Sequence, residues 1–134
     1  MIDEEVVRRG RLKKLIDAGV NPFPSRAERT HTVAELLAQF DALLAEQKTA
    51  TIVGRFRSIR KHGGLTFAHL EDGSCRMQVA FHRDRIGEDA YVFFHATMDI
   101  GDFAELTGSP FITKKGEKSL DVHSYKLLSK SLLP

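Results

Sequence analysis

The 134-residue sequence contains one cysteine, four prolines and no tryptophan. A single cysteine, Cys75, excludes an internal disulfide and points to a reducing, cytosolic setting. No apolar run approaches the roughly 20 residues that cross a bilayer, and the opening MIDEEVVRRGR is charged where a secretory leader would be apolar. The six histidines and the cysteine show no CxxC or HExxH spacing, so no metal site is expected. Ser58 and Ser74 have no recognisable base and acid partners, which leaves hydrolase chemistry without support. There is no glycine-rich phosphate loop in residues 1–47, no internal repeat and no low-complexity tract. What is present is a chain of ordinary globular composition, 42% hydrophobic and 28% charged, long enough for one domain with its own core.

The formal net charge is only +2, but it is unevenly spread. Residues 48–86 carry eight Lys/Arg against three Asp/Glu, whereas the flanking segments are each slightly acidic. Such clustering is the electrostatic footprint of a polyanion-binding face, or else of a solvated basic sheet edge.

Residue periodicity gives the architecture. Val7, Leu12, Leu15 and Ile16 fall near helical spacing within 4–18, and Gly19 follows as a stop. Asn21-Pro22-Phe23-Pro24 reads as an extended connector. Thr32 with Glu35 forms a capping box for a helix burying Leu36, Leu37, Phe40 and Leu44. From Thr49 the period changes to that of strands, expected at about 50–61, 65–71 and 75–82, with a tight turn at Asp72-Gly73-Ser74. A helix over about 87–97 turns Ala90, Phe93, Phe94 and Met98 inward. Two more strands, about 101–113 and 119–129, meet at Lys114-Lys115-Gly116-Glu117. The expected division is a helical extension over 1–47 and a barrel over 48–134.

Three strands, a helix and two strands is the element order of an OB-fold. The fold class is therefore mainly β with flanking helices: a five-stranded Greek-key barrel preceded by N-terminal helices. Ligands of such barrels meet the strand 2–3 face and the loops between strands 1 and 2 and between 4 and 5, here Lys61-His62-Gly63-Gly64 and Lys114-Lys115-Gly116-Glu117.

One residue on that face breaks the pattern. Strand alternation puts Met77, Val79 and Phe81 on one side and Arg76, Gln78 and His82 on the other. Before the turn, Ala68 and Leu70 are apolar-side, which leaves Phe67 opposite them with Leu65 and His69. An exposed aromatic ring stacks on nucleobases, while Gln78 and Arg60 carry the fixed donor and acceptor geometry that reads base edges. Phe67 packed against helix 4–18 or a cross-strand neighbour is the other reading. His69 is a surface histidine or a base or phosphate contact. Arg76, Lys114 and Lys115 are solvated charges or further nucleic-acid contacts.

The stretches RRGRLKKLIDAGVNPFP, IVGRFRSIRKHGGLTFAHLEDGSCRMQV, DIGDFAELTG, TKKGEKSL and LLSKSLLP occur in that order. Together they resemble the N-terminal anticodon-binding domain of class II lysyl-tRNA synthetases over nearly the whole chain. The resemblance implies that Phe67 stacks on the central anticodon base, that Arg60 and Gln78 read its edge, and that Glu117 lies near the first anticodon base. It implies a tRNA partner bound through its anticodon loop, and a longer, cytoplasmic, homodimeric parent that attaches lysine using ATP and Mg²⁺. This chain, with no catalytic residue or cofactor of its own, would supply recognition and be inactive alone. His62-Gly63-Gly64-Leu65 resembles instead the matching turn of aspartyl-tRNA synthetases, and Leu133 stands where lysyl members usually carry arginine. An aspartyl-tRNA synthetase domain therefore remains an alternative, as do a free-standing single-strand-binding module and a protein-interaction barrel anchored by Phe67.

Overall fold

The computed structural model describes residues 4–17 and 28–131, with the side chains of 15–17 excepted. Helix α1 spans Glu4–Asp17; the short helices α2 and α3 span Val33–Ala38 and Phe40–Ala45. Strands β1 (Ala50–His62), β2 (Leu65–Glu71) and β3 (Arg76–His82) follow. Then come α4 (Arg83–Ile86), α5 (Glu88–Thr97), β4 (Phe103–Ile112) and β5 (Lys118–Ser129). Gly19, the Asn21–Pro24 connector and Leu133 lie outside the described residues, as do the side chains of Leu15 and Ile16.

The strands close into a barrel in the order β1-β2-β3-β5-β4. All neighbours are antiparallel except β3 and β5. The connection between those two strands runs through α4, α5 and β4, long enough for a parallel pair. Closing so few strands forces tight curvature, and two glycines absorb it. A Cβ on Gly108 would lie 2.1 Å from the Asp121 carbonyl oxygen, and one on Gly54 would lie 2.7 Å from that of Glu71.

The interior is filled by Ile52, Phe56, Leu70, Val79, Phe81, Leu106, Leu120 and Val122. Helix α5 plugs one end: Phe94 stacks on Phe81 with ring centroids 4.2 Å apart and meets Phe56 edge-on at 5.8 Å. Its buried face is Tyr91, Phe94 and Thr97, with Met98 just beyond; the expected Ala90 and Phe93 are only half-buried. Tyr91 is inward because its hydroxyl has partners, lying 2.7 Å from Thr66 Oγ1 and donating to the Gly63 carbonyl. Thr66 Oγ1 also lies 2.6 Å from His95 Nε2. Burial, helped by the charges of Lys61 and Arg11, holds His95 below the usual imidazole range. This network fixes the β1–β2 turn from beneath.

The expected second helix is broken at Gln39, and its inward stripe is Val33, Leu36, Phe40 and Leu43. Leu37 and Leu44, expected in the core, are half-buried, because each lies one residue round the helix from the inward stripe. The capping box forms as expected, Glu35 N donating to Thr32 Oγ1 and Thr32 N to Glu35 Oε1. The Thr32 backbone bond, with the hydroxyl bond behind it, holds the Glu35 carboxyl below its ordinary value. Asp72 Oδ2 accepts from Val33 N and Ser74 Oγ from Ala34 N, so the β2–β3 turn caps the same helix.

Candidate nucleic-acid interface

A one-residue bulge in β1 determines what the outer face displays. Arg55 and Phe56 pair with Glu71 and Leu70, but Ser58 is the residue opposite His69, so Arg57 is extra. Before the bulge even-numbered residues point inward, Phe56 being fully buried. After it Ser58 and Arg60 point outward. Pairing then lays out two transverse rows across the sheet. One runs Arg60, Phe67, Ala80, Asp121; the other runs Ser58, His69, Gln78, Ser119, Phe111.

Phe67 is outward and half-buried, its sheet neighbours Thr66 and Ala68 being fully inside. Its Cα partners are Arg60 and Ala80. The small alanine leaves one flank of the ring open, and His62 meets it edge-on at 6.4 Å. Arg60 is exposed and has no hydrogen-bond or ion-pair partner among the described residues. Gln78 lies diagonal to Phe67, one row away, and is 8% exposed. Its Nε2 donates to Ser119 Oγ at 3.1 Å, and Ser119 Oγ donates to the Glu117 carbonyl at 3.3 Å. The structure thus brings Arg60, Phe67 and Gln78 together and ties Gln78 to the β4–β5 turn.

That turn is rigid in its backbone. Thr113 N donates to Glu117 O, Gly116 N to Thr113 O, and Glu117 N to Thr113 Oγ1. Gly116 sits at φ +87, where a side chain would be strained. Lys114, Lys115 and Glu117 are exposed on it. His69 is half-buried with Nδ1 2.8 Å from Ser58 Oγ, so one ring nitrogen is already engaged. Arg76 stands at the far edge of the face, 3.7 Å from Glu71 Oε2. Arg57 binds the same carboxylate at 2.6 Å, and that hydrogen bond holds the Glu71 carboxyl low.

The β1–β2 turn is shorter than expected: only Gly63-Gly64 lies outside the strands, with Lys61 and His62 still paired in β1. Lys61 is Cα partner to inward Thr66 and borders a depression with Arg11, His95 and Asp99, away from Phe67. The basic segment is likewise less free than its composition suggests. Lys48 pairs with Glu46, Arg83 lies beside Glu88, and Arg85 holds Asp121 at 3.1 Å. Arg55 lies over the Phe103 ring. Of its eight cations, Arg60 is the one left unpaired on the Phe67 face, with Lys114 and Lys115 joining it from the turn.

Three residues on the face have no counterpart in the sequence reading, Ser119, Phe111 and Asp121, and they surround His82, which strand alternation already placed there. Asp121 accepts from Arg85, and its Oδ1 lies 3.0 Å from His82 Nδ1. The His82 ring meets Phe111 at 6.0 Å. Outward parity along β4 is the signal that identifies Phe111; Ser119 becomes visible only through the β3–β5 seam.

Residues 50–128 match a family model described as OB-fold nucleic acid binding domain, the tRNA anti-codon family. The chain is 40% identical over 139 residues to a lysine–tRNA ligase of Shouchella clausii, covering 100% of this chain and 28% of that protein. It is 40% identical over 128 residues to one from Carboxydothermus hydrogenoformans, covering 96% of this chain and 26% of that protein. The Bacillus subtilis lysine–tRNA ligase is 36% identical over 137 residues, covering 98% and 27%. The chain spans a little over a quarter of the length of these relatives.

Proposed function

The chain belongs to the family of OB-fold nucleic acid binding domains, and from that premise we propose that its β1–β2–β3 face binds the anticodon loop of a tRNA. The observation that carries the reading is the row holding Arg60 and Phe67: an unpaired guanidinium beside an outward aromatic ring, with the Gln78 amide one row away. Phe67 stacks on the central base, a contact of about 1–3 kcal/mol. Arg60 and Gln78 read that base's edge, and Glu117 stands by the first anticodon base from its rigid turn. Lys114 and Lys115 contact phosphate without reading sequence. His69 and Arg76 are secondary contacts, each sharing its polar group with a neighbour already described.

The lysine–tRNA ligase relatives support placing this chain in a longer synthetase that joins lysine to tRNA, and we infer that this parent is homodimeric and uses ATP and Mg²⁺. In that parent, residues 48–134 serve recognition and residues 1–47 form the helical extension. No helix among the described residues is long and apolar enough to cross a membrane, in keeping with such a role.

Titration of the chain with stem-loop RNAs varied at each anticodon position tests the reading. Sequence-dependent binding that Gln78→Ala relaxes at the central position supports it. Equal affinity for every loop would instead mark a non-specific single-strand binder, and no binding a protein-interaction barrel.

A further inference from the structure

The oxygen and nitrogen of a glutamine amide differ little in shape, so its orientation is set by its neighbours. At Gln78 that neighbour is Ser119, fully buried and held opposite it by the β3–β5 register. Ser119 Oγ gives its proton to the Glu117 carbonyl, and a hydroxyl has only one proton to give. Toward Gln78 the same oxygen can therefore only accept, which selects the Nε2 end of the amide. Gln78 Oε1 is left with no partner among the described residues, yet it is not sealed from solvent.

We propose that Ser119 is a positioning residue for base readout: by holding the Gln78 amide oxygen-outward, it decides which pyrimidine the face accepts. The inference rests on the anticodon-loop reading above. Uracil carries a proton on N3, and an outward oxygen accepts it; cytosine has a bare N3, which asks for an N–H. One rotation of the amide converts the first reader into the second. Nothing else among the described residues opposes that rotation, because Ser119 is the only described partner of the Gln78 side chain. The same hydroxyl also joins Gln78 to the backbone of Glu117, so the two readers share one hydrogen-bond chain.

The test measures affinity of the 134-residue chain for two stem-loops that differ only in uridine or cytidine at the central anticodon position. The unsubstituted chain favours uridine. Ser119→Ala lowers that preference by about five- to tenfold, the scale of one base-edge contact, while the salt dependence stays the same. Ser119→Thr, which keeps the hydroxyl, retains the preference. The Glu117 carbonyl keeps its bond from Thr113 N, so the alanine variant loses no acceptor's last partner. An unchanged preference in Ser119→Ala, or equal weakening toward both loops, overturns the role of Ser119 alone. Absence of any preference in the unsubstituted chain overturns the interface reading and this inference with it. Should Ser119→Ala not fold, the side-chain amide resonances of Gln78 in the unsubstituted chain, assigned by their loss in Gln78→Ala, serve instead. One proton protected from exchange is expected; two exchanging as in an exposed glutamine overturn the inference.

Discussion

Lys130 and Arg60 are cations on the same barrel, and the fold treats them in opposite ways. The Lys130 side chain is wholly buried, with Nζ 2.6 Å from Asp99 Oδ2 and 2.5 Å from Asp102 Oδ2. Asp102 also accepts from the backbone of Asp99 and Ser131, and Arg11 of α1 lies 3.3 Å from Asp99 while donating to the His95 carbonyl. These charges hold α1, α5 and the end of β5 together. Among the described residues Arg60 has no such partner, and neither do Lys114 and Lys115. Composition counts these groups alike; geometry separates charges spent on the fold from charges still available to a ligand.

Substitutions at the two ends should therefore fail in different assays. The largest effect is expected for Lys130→Ala, which removes the buried cation shared by Asp99 and Asp102 and should cost about 3–5 kcal/mol of stability. Chemical denaturation measures it, and the fraction that remains folded should bind RNA with unaltered affinity. A loss under 1 kcal/mol would mean that the buried network is not what anchors α1. At the open face, Phe67→Ala should weaken anticodon-loop binding by about 1–3 kcal/mol and leave the melting temperature nearly unchanged. A large melting shift with intact binding would move Phe67 into the structural group. The smallest effect belongs to Lys114→Ala or Lys115→Ala. Each should weaken all loops alike and flatten the slope of log affinity against log salt by up to about one. Sequence-dependent weakening would show that the turn reads bases as well as attracting phosphate.

How much of this was legible in the chain depends on how local its cause is. The Thr32–Glu35 capping box and the Asp72–Ser74 turn are written in a few adjacent residues, and both form as the sequence indicates. Strand and helix order follows from periodicity, and so does the outward side of Phe67, because β2 runs without a bulge. The face of Arg60 was not available that way. Simple alternation from Ile52 and Phe56 would have put it inside the barrel, and only the extra residue at Arg57 turns it out. Gln78 was readable as outward but not as nearly buried, since its cover comes from β5, more than 40 residues away in sequence. The charge surplus over 48–86 was real as a count and misleading as a surface, because ion-pair partners such as Glu46, Glu88 and Asp121 come from outside that segment.

The bulge at Arg57 is, in effect, a phase slip in a two-state code. A strand assigns its residues alternately to inside and outside, so a substitution in one set leaves the other untouched, while a length change exchanges them. By slipping once, β1 runs in one phase over Ala50–Phe56, where it pairs with β4 and begins to meet β2, and in the opposite phase over Ser58–His62, where it pairs with β2. Were Arg57 held in a regular ladder instead, Ile59 and Arg60 would exchange sides, a greasy side chain outward and a guanidinium into the core; deleting Arg57 outright would leave both where they are, because Ser58 would then follow Phe56 directly. The barrel thus has one position in β1 where a residue can be lost without exchanging the inner and outer sets, whereas loss of one elsewhere along the strand exchanges them. Its two halves can otherwise accumulate changes independently, one answering to packing and the other to whatever the open face must discriminate.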